Sequence, residues 1–188
     1  VIEVGFAGND LELDGMHRMA KLGNRDFVES DHVPIISCFT KALDSRDEKD
    51  NCIRRALDCL VNADPDRRMI HLFVGTSRKL IDYRYPQKES EAIQRVKDSI
   101  SYARSLIGDY GHIEFSPEDA MRADLDFLVE VVQTAINYGA NVINITDTTG
   151  FVTPDNYYNI VQKLIKRLTS TEDIIFSAHV HNDSGNAV

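Results

Sequence analysis

The sequence predicts an α/β protein of the TIM (β/α)8 barrel type, of which this chain covers about strands 2 to 7. Three observations carry that prediction. Short β-rich runs recur six times, the stretches between them have helical periodicity, and polar residues capable of chemistry follow nearly every run. A repeat of about 30–40 residues suits either a doubly wound sheet or a barrel. The strand ends favour the barrel, because it gathers all its strand C-termini around one mouth. A doubly wound sheet concentrates its ligand groups at one switch point, usually with a glycine-rich phosphate loop, and no G-x-G-x-x-G or P-loop lysine motif occurs here.

The runs fall at residues 1–6, 33–39, 69–76, 112–116, 141–147 and 174–179. Most are continuously apolar, as parallel strands covered on both faces are. Between them, residues 90–106 repeat Ile93, Val96, Ile100 and Ala103 at helical spacing, and residues 124–138 place Leu125, Leu128, Val129, Val132 and Ile136 on one side. Pro154 after Thr153 marks a first helical position, with Asp155 at the positive end of the dipole. Gly108 and Gly139 stand where helices stop. Six strands do not close an eight-stranded barrel, so one βα unit is expected before residue 1 and one after residue 188. With no linker or low-complexity stretch inside it, the chain reads as part of a single catalytic domain.

Composition narrows the function. The 188 residues are 43% hydrophobic without any run of 18 apolar residues, which argues against a membrane span. Thirty acidic against 21 basic residues give a net charge of −9 with no basic cluster. Nucleic-acid binding is therefore not expected, since neutralising phosphates supplies most of that affinity. Cys38, Cys52 and Cys59 are an odd count in no tight pattern, which reads as reduced thiols in a cytoplasmic protein. Cys52 and Cys59, seven apart in a helical stretch, should share a buried face.

The sharpest candidates stand in FSAHVHNDSG (176–185). His179 and His181, two apart on a strand, would point to one face at its mouth end, either as imidazole ligands of a divalent metal or as one bonded core histidine and one exposed one. Two histidines are an incomplete shell, so other elements must add carboxylate or amide ligands. Asn182 would face away if the strand continued, and Asp183 would either brace a histidine or cap a helix. In EFSPEDAMRADLDF (114–127), Glu118 is either an acid/base group or, in Ser-Pro-Glu-Asp, part of a helix start. NITDTTG (144–150) offers Asp147, Thr148 and Thr149, as ligand contacts or as turn formers. His71, inside an apolar strand, is either a bonded core histidine or a substrate contact, and Thr76 and Ser77 end that strand. Arg78 and Lys79 would meet cofactor phosphates or form a solvated loop. Glu3 in an apolar strand requires a basic partner or a place facing the site.

Taken together, IEVGF, HLFVGTS, EFSPEDAMRADLDFL, GANVINITDTTGFVTP and HVHNDSGNAV resemble, in this order, the 2-isopropylmalate synthase family. Homocitrate and citramalate synthases and hydroxymethylglutaryl-CoA (HMG-CoA) lyase belong to the same group of metal-dependent TIM barrels. The resemblance extends over essentially the whole chain, and FSPEDA with RADLDFL points to the synthases rather than the lyase. It implies an acyltransferase performing a Claisen-type condensation of acetyl-CoA with 2-oxoisovalerate, in leucine biosynthesis, followed by thioester hydrolysis. It further implies a divalent metal (Mg, Mn or Zn) on His179 and His181, Glu118 as the catalytic or substrate-orienting acid, and His71, Ser116 and Thr148 around the 2-oxo acid. A homodimer is implied as well. The family's Asp-x-Thr-Leu-Arg-Asp-Gly motif and its strand-eight asparagine are not in this sequence, so this chain by itself is not expected to turn over. Ser184 and Asn186 replace the usual leucines, DTTGF replaces Asp-Thr-Val-Gly-Tyr, and GFAGND lacks the proline after GF. These departures leave open another 2-oxo acid, as in the homocitrate and citramalate synthases, or lyase-type cleavage.

Overall fold

The computed structural model describes residues 1–8, 12–28, 32–43, 52–85 and 88–187. Six strands, β1 (Ile2–Phe6), β2 (Ile36–Lys41), β3 (Arg68–Gly75), β4 (His112–Glu118), β5 (Val142–Asp147) and β6 (Ile175–Val180), form one sheet in the order β1-β2-β3-β4-β5-β6. That order matches the chain order with no reversal. A doubly wound sheet has a switch point where the order turns back; successive units of a (β/α)8 barrel do not. Among the described residues six α-helices lie between the strands, two of them between β3 and β4: α1 (Leu13–Ala20), α2 (Cys52–Cys59), α3 (Arg78–Arg84), α4 (Glu89–Ile107), α5 (Leu125–Asn137) and α6 (Pro154–Ile165). The predicted strand–helix series is thus present. Asn9 and Asp10, the polar residues expected after the first strand, lie outside the described residues.

Three strand boundaries differ from the expectation by two residues or more, β2 also ending at Lys41 rather than at residue 39. β2 starts at Ile36 rather than at residue 33, because Pro34 has no N–H to give a ladder; the pairing begins with Ile2 N donating to Ile35 O at 2.8 Å. β4 runs through Pro117 to Glu118, two residues past the expected end. There the carbonyls are used instead of the missing N–H: Thr146 Oγ1 donates to Pro117 O and Thr76 N donates to Glu118 O at 2.9 Å.

Two compact units make up the chain. In the first, residues 1–72 and 98–114, β1 pairs parallel with β2, Ile2 opposite Ile36 and Phe6 opposite Phe39, with a one-residue irregularity between Glu3 and Phe6. Its core is built from Ile36, Cys38, Ile53, Ala56, Cys59, Leu60, Ile70 and Leu72. Cys52 and Cys59 do share the buried face of α2. All three thiols are buried and in no disulfide among the described residues, and Cys38 is pushed well above its ordinary pKa by its hydrogen bond with Cys59 and by burial. A thiol so raised is a poor nucleophile, whereas the same hydrogen bond lowers Cys59.

In the second unit, residues 73–97 and 115–188, Phe115, Leu128, Val131, Val132, Ile143, Ile145 and Leu164 form the core. The buried stripe of α5 is Phe127, Leu128, Val131, Val132 and Ala135, rotated from the predicted one so that Leu125, Val129 and Ile136 flank it half-buried. Asp124 caps this helix by accepting from Asp126 N (2.9 Å) and Phe127 N (3.1 Å). Thr153 caps α6 through Asn156 N, with Pro154 at its first turn as predicted. α4 and α5 end before Gly108 and Gly139. Among the described residues no helix is long and apolar enough to cross a membrane.

Candidate functional site

β5 and β6 pair parallel in continuous register, with Asn144 beside Ser177, Thr146 beside His179 and Asp147 beside Val180. Directly paired residues of parallel strands share a face. One face therefore carries Asn144, Thr146, Ser177 and His179, and the other carries Ile145, Asp147, Ala178 and Val180. The first face is polar and extends to β4, where Asn144 Nδ2 donates to the buried Ser116 Oγ at 3.0 Å. Period-2 alternation in VINITD explains the split, since isoleucines alternate with Asn144 and Thr146.

His179 lies on that polar face near the end of β6, and His181 follows just beyond the strand. Their Nε2 atoms are 3.1 Å apart and both rings are exposed. The two imidazoles converge. Two ligands held at about 2.0–2.1 Å and separated by 3.1 Å subtend roughly 95–100° at a metal, between the octahedral and tetrahedral angles. The pair therefore fits two adjacent positions of a divalent ion. Among the described residues no group of three or more His, Cys, Asp or Glu is placed to hold one, so the shell remains half-built here. The strand stops at Val180, which removes the face expected of Asn182; Asn182 Oδ1 instead accepts from Ala187 N at 3.2 Å. Asp183 stands 3.9 Å from His181 Nδ1, as a supporting carboxylate would. The turn after β5 presses on the same place: a Cβ on Gly150 would lie 2.8 Å from the His181 carbonyl oxygen.

Glu118 is not in a helix start. It ends β4, Asp119 turns left-handed (φ 65°) at the N-cap of a single 3-10 turn, Ala120–Arg122, and α5 begins only after the Asp124 cap. The Glu118 carboxylate is gripped by Arg84, through Nη1 on Oε2 and Nη2 at 3.4 Å from Oε1. Burial pulls Arg84 down, but the Glu118 hydrogen bond and charge more than offset it, so the guanidinium ends above its usual pKa. Thr76 donates to Glu118 O from both N and Oγ1, at 2.9 Å each. Thr148 Oγ1 accepts from Asp119 N at 2.8 Å, so this hydroxyl secures the β4 end. Ser77 Oγ is buried without a hydrogen-bond partner among the described residues. Arg78 spends its charge on an exposed pair with Asp82, the solvated alternative.

His71 belongs to the first unit and is buried. Its Nδ1 lies 2.6 Å from Glu3 Oε2, its Nε2 3.9 Å from Glu114 Oε1, and its ring meets Phe39 edge-on. Glu3 thereby has the basic partner that its apolar strand demanded. Burial raises the pKa of Glu114, against the pull of His71 and with the repulsion of Glu3.

Sequence reasoning missed Arg84, Asn144 and Thr146. Alternation marked the last two, whereas nothing local marks Arg84, which meets Glu118 across 34 positions. A cavity of about 240 Å³ lies on the opposite face of β6, against Ala178, Val180 and Tyr157. Its lining is mostly apolar but includes Asp147 and His181.

Fold and site together define the class: an α/β chain carrying six consecutive units of a TIM barrel, with its chemical groups at the strand ends. A family model described as HMGL-like matches residues 32–188, and the chain belongs to that family. It is 37% identical over 139 residues to the 2-isopropylmalate synthase of Staphylococcus carnosus (strain TM300), covering 73% of this chain and 27% of the relative. It is 45% identical over 117 residues to that of Streptococcus gallolyticus (strain UCN34), covering 62% and 22%. The chain thus spans about a quarter of the length of these relatives. Among solved structures it is similar to the hydroxymethylglutaryl-CoA lyase of Pseudomonas aeruginosa, with TM-score 0.66 and 13% identity over 99% of this chain and 57% of that one. The HMG-CoA lyase from Brucella melitensis gives TM-score 0.62 and 17% identity, covering 93% and 55%. At such identities the likeness is one of fold.

Proposed function

We propose that the full-length protein condenses acetyl-CoA with a 2-oxo acid in a metal-dependent Claisen-type reaction, taking 2-oxoisovalerate to 2-isopropylmalate in leucine biosynthesis. The observation that carries this reading is the His179–His181 pair at 3.1 Å, at the polar strand ends of a chain whose relatives include 2-isopropylmalate synthases. His179 and His181 would hold a divalent ion, Mg, Mn or Zn, which supplies Lewis-acid polarisation of the acceptor's keto group when bound. Ser116, oriented by Asn144, offers its hydroxyl to the 2-oxo acid. Thr148 serves the same pocket while holding Asp119 in place. Glu118 provides a fixed carboxylate that orients substrate or moves a proton at its Oε atoms. His71, bonded to Glu3, is assigned a substrate contact by the family resemblance. In the overall reaction a methyl proton leaves acetyl-CoA, the resulting carbon nucleophile attacks the keto carbon, and water cleaves the thioester to release CoA thiol. The chain is then part of one catalytic domain, its buried reduced thiols suit a cytoplasmic enzyme, and the working assembly is a homodimer.

The test is free-thiol release by the full-length protein from acetyl-CoA with each of several 2-oxo acids. Thiol release that is fastest with 2-oxoisovalerate is the expected result. Preference for 2-oxoglutarate or pyruvate would move the assignment to a homocitrate or citramalate synthase. Cleavage of a 3-hydroxyacyl-CoA with no thiol release from any 2-oxo acid would refute the synthase reading in favour of a lyase.

A further inference from the structure

Glu118 is fixed far more thoroughly than a strand-end carboxylate needs to be. Two donors of Thr76 hold its carbonyl, and Thr148 holds the next N–H. Asp119, in its left-handed conformation, has its own carboxylate clamped by Arg122 at 2.7 and 2.6 Å. The backbone is thus pinned on both sides, and the side chain is held by the guanidinium fork of Arg84. The pair is half-sheltered, with 37% of the Arg84 side chain and 23% of the Glu118 side chain exposed. Space for it is built in. A Cβ on Gly75 would stand 2.9 Å from Leu80 Cβ and 3.4 Å from Arg84 Nη1, so the last residue of β3 must be small for α3 to bring Arg84 to Glu118.

We propose that Arg84 is a positioning residue: its two-pronged contact fixes the orientation in which the Glu118 carboxylate serves the reaction. This rests on the reading of Glu118 given above. A fork sets both the direction and the plane of a carboxylate, which a single point charge does not. Losing that orientation costs the transition state more than substrate binding, because a misplacement on the scale of an ångström already costs about 100-fold in rate. Arg84 acts through Glu118 and on no other reacting group.

The experiment uses the full-length protein with Arg84→Gln, Arg84→Lys and Glu118→Gln, and two readouts. The first is carbodiimide-driven labelling of Glu118 by an amine, followed by peptide mass spectrometry, which needs no turnover. The second is thiol release resolved into kcat and KM. Arg84→Gln is expected to label several-fold faster at Glu118, and to lower kcat by about 10- to 100-fold with KM for both substrates near wild type. Arg84→Lys is expected to fall between, as one prong replaces two. Unchanged labelling, or wild-type kcat in Arg84→Gln, overturns the proposal. Should Arg84→Gln not fold, Arg84→Lys decides: reduced kcat at unchanged KM and melting temperature supports the proposal, and wild-type kcat overturns it. Wild-type kcat in Glu118→Gln overturns the reading of Glu118 itself. An inactive Glu118→Gln beside a fully active Arg84→Gln overturns only the role of Arg84.

Discussion

Replacing Gly150 by alanine would drive the turn after β5 into the histidine pair. Gly150 has φ +60°, a conformation that costs an L-residue about 1 kcal/mol or somewhat more. The added Cβ would also lie 2.8 Å from His181 O and 3.1 Å from His181 C and Cβ. Ordinary contact begins at 3.4 Å, leaving about 0.6 Å to be found. The obstacle is backbone rather than a flexible side-chain tip, so His181 itself must move. Metal–ligand distances tolerate only about 0.2 Å, so that displacement takes the His181 Nε2 out of line with His179. The expected outcome is a loss of divalent-metal affinity of about 10- to 100-fold, the range seen when groups supporting a ligand are removed. Titration calorimetry on the full-length protein measures it. Gly185→Ala is the control, because φ is +72° but nothing lies within 4 Å of its Cβ. It pays the conformational cost without the clash and should keep wild-type affinity. Equal affinities in the two variants, or wild-type affinity in Gly150→Ala, would refute the reasoning.

Three further outcomes are expected. His179→Ala should weaken metal binding by at least the ~100-fold at the top of the range for supporting residues, read by the same titration. Glu114→Gln should stabilise the protein at neutral pH and not in acid. Burial, first, raises the folded pKa of Glu114, so its penalty is absent below the unfolded value of about 4.3 and grows as pH rises through the folded one. Melting temperatures at pH 4 and pH 7.5 check the sign, and a loss at pH 7.5 would contradict it. Asp124→Ala removes both cap bonds of α5 and should cost about 0.5–2 kcal/mol in chemical denaturation.

Much of this was legible in the sequence, for identifiable reasons. Strands buried on both faces appear as apolar runs, and caps such as Thr153–Pro154 are local chemistry, so both were read within a residue or two except at the start of β2, three residues late. The β4 end was misread because Ser-Pro-Glu-Asp carries helix-start chemistry. What overrides it is non-local: Thr76 and Thr146 bond the β4 carbonyls from other strands, and Asp119 turns left-handed. The stripe on α5 was misjudged by part of a turn for a similar reason. Periodicity gives an apolar arc, and only neighbouring elements choose which part of it is covered.

The sequence by itself determined the alternation of strands and helices, the three buried thiols and the net acidic charge. These follow from residue type and from periods of 2 and 3.6, which are properties of the chain alone. Only the tertiary structure decided that the two rings meet at 3.1 Å, that Asn144 orients Ser116, that Gly150 abuts His181 and that Arg84 takes hold of Glu118. All but the first are meetings of groups on separate elements. No local preference encodes such contacts; strand register and helix docking do.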